Sequence, residues 1–244
     1  MVSAMRYVWA TASHQGRVRG RNEDAVYPES SGSSDHAILV GVADGMGGAI
    51  AGNVASTTAL GAATDEDPSA EISIVERVVR GNNQLLSKIA RNPDLRGMGT
   101  TMTLGLFQPD GTLELGHVGD SRAYLVRSDD FELLTTDHTV VTDLVALGHL
   151  DPSDAQRHPQ RHLLTRALGL GPVHVDHETV ELVDGDRVLF CSDGLTTMLS
   201  DEQIKEIVAA GNEVEPTVWA LVEAANTAGG VDNISVAVVD AHES

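Results

Sequence analysis

Two periodicities divide the chain. Alternating or short apolar runs of strand length fall at residues 7–13, 38–43, 100–107, 112–118, 121–127, 131–134, 173–182, 187–192 and 234–239, most of them bounded by Gly, Asp or Pro. Helical spacing links Val75, Val78, Val79, Leu86 and Ile89, with Asp67-Pro68 read as the N-cap and first-turn proline of that helix and Asn92-Pro93 as its stop. Residues 49–63 are dominated by Ala, Gly, Ser and Thr, small enough to let a helix lie close against a sheet. Ser200-Asp201-Glu202-Gln203 is a capping-box pattern opening a helix to about Ala210, and residues 216–226 make another. From 137 to 160 the chain is polar and helix-prone only in pieces, 139–147 best; a connection of that length suits a lid or binding loop.

The central strands are joined by Pro109-Asp110-Gly111, Gly119-Asp120 and Ser128-Asp129-Asp130, turns too short for a crossover, so they are expected to be antiparallel neighbours. Helices then stand in two pairs between runs of strands. That order predicts an α+β fold of two antiparallel sheets packed face to face and covered by helical pairs, not a doubly wound parallel sheet. With 244 residues, 41% of them hydrophobic, and no long polar linker, residues 1–244 read as a single domain.

Charge changes the list of partners. Against 16 basic side chains stand 36 acidic ones, a formal net charge of -20, which repels nucleic acid and anionic membrane surfaces. Cys191 is the one cysteine and lies in an apolar run, so a buried thiol in a reducing compartment is expected. No apolar run approaches the roughly 18 residues of a membrane span, and the N-terminus lacks a signal-peptide core. The protein is expected to be soluble, cytoplasmic and monomeric.

Within this acidic chain four aspartates stand out by position. The run 38–43 delivers Asp44, followed by Gly45-Met46-Gly47-Gly48; 113–119 deliver Asp120; 188–192 deliver Asp193, followed by Gly194; Gly229-Gly230-Val231 lead into Asp232-Asn233. One Asp-Gly pair is an ordinary turn. Recurrence at strand edges fits a hard divalent cation, which takes several carboxylates from distant parts of a chain, and the carbonyl beside an Asp-Gly step is also open to it. Convergence of the four in space is therefore expected. The segment Arg17-Val18-Arg19-Gly20-Arg21-Asn22-Glu23-Asp24 reads either as a self-neutralising charge cluster or as an anion clamp beside metal ligands, since guanidinium forks match phosphate oxygens. Among ten histidines, His162 is singled out because it lies beside the candidate lid and its basic neighbours, while His174 and His177 are read as facing solvent.

Taken together, the arginine and acid segment, Asp44-Gly45-Met46-Gly47-Gly48, Gly97-Met98-Gly99-Thr100-Thr101, Gly119-Asp120-Ser121-Arg122, Ser192-Asp193-Gly194 and Asp232-Asn233 resemble the metal-dependent protein phosphatases of type 2C in their bacterial form. The likeness runs in order from about Tyr7 to Val239 and implies an α-β-β-α sandwich. It implies a serine/threonine protein phosphatase that hydrolyses phosphoserine and phosphothreonine by direct attack of a metal-bridging hydroxide, with two manganese (Mn2+) or magnesium (Mg2+) ions as cofactors. Asp44 would bridge both ions, Asp193 and Asp232 would complete one side, and Glu23 with the Gly45 carbonyl the other. Arg19, four residues before Glu23, would be the phosphate clamp, with Arg21 the less favoured candidate; Asp24 and Asn233 would stand behind the ligands. A third, weaker ion is implied beside a mobile flap at 137–160, with Asp120 and Asp193 as its carboxylates and His162 where some members add a ligand. Partners would be phosphorylated proteins, substrates of a serine/threonine kinase. Animal relatives place a histidine directly after the Asp-Gly turn; here that position is Met46, which cannot protonate a leaving alkoxide. Some bacterial relatives continue into a linker and a membrane span, whereas this chain ends at Ser244.

Three rival readings remain. A dinucleotide-binding unit over 38–52 fails because its glycine spacing needs Gly or Ala where Ile50 stands, and Asp44 would face a pyrophosphate. A catalytically inactive binding module would be marked by loss of a metal carboxylate, yet Glu23, Asp44, Asp193 and Asp232 are all present. A small-molecule phosphatase would use the same chemistry, which is indifferent to what lies behind the phosphate.

Overall fold

The structure is a computed structural model describing residues 4–47, 51–155 and 157–244. Gly48 of the glycine turn, Ala49 at the expected start of the small-residue helix, Ile50 of the rejected dinucleotide reading, Gln156 of the connection and the first three residues lie outside the described residues. In chain order the elements are β1 (Met5–His14), β2 (Ala25–Tyr27), β3 (Gly32–Ser34), β4 (Ile38–Ala43), β5 (Gly45–Met46), α1 (Ala51–Thr64), α2 (Ile74–Arg91), β6 (Gly99–Thr100), β7 (Met102–Phe107) and β8 (Thr112–Val118). There follow β9 (Arg122–Arg127), β10 (Asp130–Leu133), α3 (Val140–Ala146), α4 (Pro152–Ala155), β11 (Asp176–Glu181), β12 (Arg187–Cys191), α5 (Asp193–Thr196), α6 (Asp201–Ala210), α7 (Val214–Thr227) and β13 (Ile234–Glu243).

One sheet has the order β10-β9-β12-β13-β1-β3 and the other β11-β8-β7-β4-β2, with antiparallel pairing throughout. Side-chain alternation sets the layers. On β13, Ile234, Val236 and Val238 pack beneath α6 and α7, while Ala237, Val239 and Ala241 face Val40, Val42 and Leu115 of the second sheet. Both faces being covered, this strand reads in sequence as unbroken apolar from Val236 to Val239. Tyr7, Phe107 and Phe190 meet edge-to-face between the sheets, with centroids 5.2 and 6.2 Å apart. Outside the second sheet, Ala55, Ala59 and Ala63 of α1 pack with Ile74, Val78 and Leu85 of α2. The two helices cross so closely that a Cβ at Gly81 would stand 2.6 Å from the Ala59 carbonyl. The result is the α-β-β-α sandwich that the element order and the family resemblance imply.

Several local expectations are corrected. Gly119-Asp120 is not a hairpin turn: β8 and β9 belong to different sheets, and the chain steps from one to the other there. Gly119 takes φ +116° at that step, and a Cβ would lie 2.5 Å from the Thr101 side chain. Asp67-Pro68 does not cap α2. Asp67 closes a local turn onto Ser69, its preceding neighbour's carbonyl and its own are pinned by Arg77 at 2.9 and 2.6 Å, and the cap is Ser73, whose hydroxyl accepts from the Glu76 N–H. The strand expected at 173–182 is paired only as β11, at the edge beside β8, while α7 begins two residues before Pro216, which sits in its first turn. Asn92 ends α2 and the capping box at Ser200 is formed, as expected. Among the described residues no helix is long and apolar enough to cross a membrane.

Candidate active site

The singled-out aspartates lie where strands of both sheets end. Asp44 follows β4 and is held by its backbone: its N–H donates to Thr101 Oγ1 at 2.9 Å, and its carbonyl accepts from the Thr101 N–H at 2.9 Å and from Thr100 Oγ1 at 2.8 Å. Thr101 Oγ1 in turn shares a 2.7 Å hydrogen bond with Ser121 Oγ. The Gly-Met-Gly-Thr-Thr and Gly-Asp-Ser-Arg motifs are thus struts that tie Asp44 to the Asp120 turn. Sequence reading noted both motifs without assigning them this work.

Across the sandwich, β12 delivers Ser192 and Asp193. Ser192 donates to Asp24 Oδ2 at 2.8 Å and accepts from the Ser235 N–H at 3.0 Å, joining the arginine segment to β13. Asn233 completes that junction: its amide donates to the carbonyls of Gln15 at 2.9 Å and Arg21 at 2.8 Å and accepts from the Glu23 N–H at 2.8 Å. One side chain therefore moulds the whole loop from 15 to 23. The glycines of both Asp-Gly steps serve close approach. A Cβ on Gly194 would lie 1.8 Å from the Asn233 carbonyl oxygen, and one on Gly45 2.1 Å from that of Gly52. Gly52 matters equally, since a Cβ there would lie 2.8 Å from both the Glu23 carboxyl carbon and the Gly45 carbonyl oxygen. The structure thus brings together the Glu23 carboxylate and the Gly45 carbonyl, which the resemblance pairs.

Electrostatics mark this end of the molecule. Burial, reinforced by neighbouring carboxylates, holds Asp44 and Asp193 above the usual carboxylate range. Burial likewise pushes Asp24 up to about 7, against hydrogen bonds from Ser192 and Ser235, and Asp120 up to about 8, with Asp193 adding repulsion. Glu23 Oε1, Asp24 Oδ1 and Asp193 Oδ1 are buried without a hydrogen-bond partner. Buried orphan oxygens on mutually repelling carboxylates are the donor set of a hard cation. Arg19, half exposed, places Nη2 2.6 Å from Asp232 Oδ2, a contact that raises the arginine's own pKa. Among the described residues no group of three or more His, Cys, Asp or Glu side chains stands at ion-holding distance.

His162 lies at the rim, Nδ1 3.9 Å from Asp193 Oδ2. Met46 packs where a Cβ on Gly99 would meet its Cε at 2.9 Å. His174 and His177 are exposed, as read, and Cys191 is buried. The residue that sequence reading missed is His138: only 3% exposed, it sits at the start of the 137–160 connection and bonds to Gly119 beside Asp120. Nothing in the spacing of ten histidines marks which is buried. Its one signal was the Asp137-His138-Thr139 step, with Thr139 the N-cap of α3.

A sandwich of antiparallel sheets between helical pairs, with acids gathered where both sheets end, is the architecture of the metal-dependent protein phosphatases. The Protein phosphatase 2C family model matches residues 11–144, and the chain belongs to that family. It is 40% identical to the serine/threonine protein phosphatase PstP of Mycobacterium tuberculosis over 95% of this chain, but spans only 44% of that relative's length. It is 36% identical to the protein phosphatase PhpP of Streptococcus pneumoniae, covering 93% of this chain and 95% of that one. Among solved structures, the catalytic domain of PstP in complex with two manganese ions superposes with a TM-score of 0.86 at 37% identity, covering 98% of this chain and 99% of that one.

Proposed function

We propose that this chain is a metal-dependent serine/threonine protein phosphatase acting on phosphorylated proteins. The observation that carries this reading is the gathering of Asp24, Asp44, Asp120 and Asp193, with orphan buried oxygens, on segments far apart in sequence. Glu23, Asp44, the Gly45 carbonyl, Asp193 and Asp232 would hold two divalent cations, manganese or magnesium. Such ions, when bound, supply a water acidic enough to ionise near neutral pH and positive charge for the phosphoryl oxygens.

The chain's own residues supply the geometry. Thr100, Thr101 and Ser121 fix the backbone that presents Asp44, and Asn233 fixes the loop that presents Glu23 and Arg19. Arg19 is half exposed and offers a planar fork to phosphate oxygens once it leaves Asp232. Asp24, anchored by Ser192, stands behind the ligands, where it orients bound water. Met46 has no proton to give, so the leaving oxygen is protonated from another direction. Asp120, Asp193 and His162 would serve a further, weaker ion, and 137–160 would be the flap that admits the phosphorylated segment.

The test is phosphate release from p-nitrophenyl phosphate and from a phosphothreonine peptide, with manganese and with chelator, for wild type, Asp44→Ala and Asp193→Ala. Manganese-dependent release that both substitutions abolish is the expected result. A folded wild type that binds manganese yet releases nothing from either substrate would overturn the proposal.

A further inference from the structure

We infer that His138, held in one tautomer by Asp176, is a positioning residue for the Gly119–Asp120 turn and ties the base of the 137–160 connection to the site. The inference rests on Asp120 being part of the phosphatase site. The ring and backbone of His138 clasp a single residue: the Gly119 N–H donates to His138 Nδ1 at 3.0 Å, and the His138 N–H donates to the Gly119 carbonyl at 2.7 Å. A backbone N–H can only donate, so Nδ1 carries no proton and the neutral ring bears it on Nε2. That nitrogen lies 3.0 Å from Asp176 Oδ2, on the edge strand β11, and donates to it. Arg166 Nη1 takes the other oxygen, Oδ1, at 2.7 Å; it also stands 3.2 Å from Nε2, where one donor faces another and no bond forms.

The same residue closes the connection. The His138 carbonyl accepts from the Thr165 N–H at 2.8 Å, and Val140 donates to the Leu163 carbonyl at 2.9 Å. His117 packs against the His138 ring with centroids 4.8 Å apart, and its Nδ1 pairs with Thr103 Oγ1 at 2.9 Å, whose hydroxyl donates to the Ser121 carbonyl at 3.0 Å. Gly119, the residue clasped, is one for which no side chain fits. The turn carrying Asp120 is thus gripped from the connection side by His138 and from the core side by Thr103 and Ser121.

Substituting Asp176 tests the tautomer rather than the packing. In Asp176→Asn, Arg166 still demands an acceptor, so the amide oxygen faces Arg166 and the amide NH2 faces Nε2. The ring proton is then driven to Nδ1, against the Gly119 N–H. Asp176→Ala leaves Nε2 free to donate to water and preserves the clasp. Asp176 and Arg166 side chains are each 41% exposed, so these variants leave the core intact. Asp176→Asn is expected to lower kcat roughly tenfold or more without a matching change in KM, Asp176→Ala to lower it less, and Arg166→Ala added to Asp176→Asn to restore it by freeing the amide to turn over. Nitrogen NMR of His138 is expected to show the proton on Nε2 in wild type and on Nδ1 in Asp176→Asn, with faster amide exchange at Gly119. A purely structural role ranks Ala below Asn and gives no rescue; that ranking, or a protonated Nδ1 in wild type, overturns the inference. If the wild type releases no phosphate, the phosphatase reading fails separately, and the NMR tautomer and Gly119 exchange decide this one alone.

Discussion

Two sets of carboxylates are withdrawn from solvent in this protein, and they are treated oppositely. Asp137, Asp186 and Asp240 are each met by a forked arginine: Arg122 at 2.9 and 2.7 Å, Arg127 at 2.9 and 2.6 Å, and Arg187 at 2.6 and 2.8 Å. Asp24, Asp44, Asp120 and Asp193 instead face one another, and their net shift is upward. Where a buried acid serves the scaffold, the chain supplies the cation itself. Where four acids are buried together with no arginine fork, the scaffold stores a cost, first of desolvation and then of mutual repulsion, that an external cation would relieve.

That contrast can be broken from either side. The largest effect is expected for Asp193→Asn, with kcat/KM lowered on the order of 1,000-fold, while urea unfolding in chelator shows the metal-free fold at least as stable as wild type, because repulsion is removed. The opposite outcome is expected in the paired set: Asp186→Ala removes the acceptor of half-exposed Arg127 and of the Val183 N–H and costs about 1–2 kcal/mol in the same unfolding measurement, with manganese-dependent turnover at low temperature unchanged. Loss of stability in both variants would erase the distinction.

Proton linkage sharpens it. Asp24, near 3.8 when unfolded and about 7 when folded, keeps its proton in the fold over a window where the unfolded chain has released it. Its contribution to stability is therefore fully present below pH 4 and lost as pH rises towards and through 7. Asp24→Asn should consequently stabilise the metal-free protein by on the order of 2 kcal/mol at pH 8 and by nothing at pH 4, read from urea midpoints in chelator. Buried His117, pushed down to about 4 from 6.5, acts in the other direction, favouring the fold above pH 6.5 and losing that contribution as pH falls towards 4. A gain from Asp24→Asn that is the same at both pH values would mean that the cost of burying the charged carboxylate is not stored there.

The smallest predicted effect concerns space rather than charge. Gly52→Ala favours helix α1 by about 1 kcal/mol but sets a methyl 2.8 Å from both the Glu23 carboxyl and the Gly45 carbonyl. Manganese affinity measured by calorimetry should fall roughly tenfold with little change in thermal unfolding.

Much of this was legible in the chain and some was not, and the line between them is physical. Strand and helix periods, the Ser200 capping box and the Asn92 stop are local, because they depend on neighbours a few residues away. The aspartates at strand ends were local too, since a short apolar run and the glycine after it are contiguous in sequence. Tertiary structure alone decided that β8 and β9 part company at Gly119, because one turn signal serves a hairpin and a sheet-to-sheet step alike. It alone set Asn233 as the mould of the arginine loop, Gly52 as the floor beneath Glu23 and Gly45, and His138 as a buried histidine clasping Gly119. Those roles come from contacts between residues as many as 218 positions apart, as Asn233 and Gln15 are. Sequence determined which residues could do this chemistry, because composition and local pattern fix donor type and strand register; only the packing of two sheets decided which would share a site, because burial and proximity belong to the folded whole.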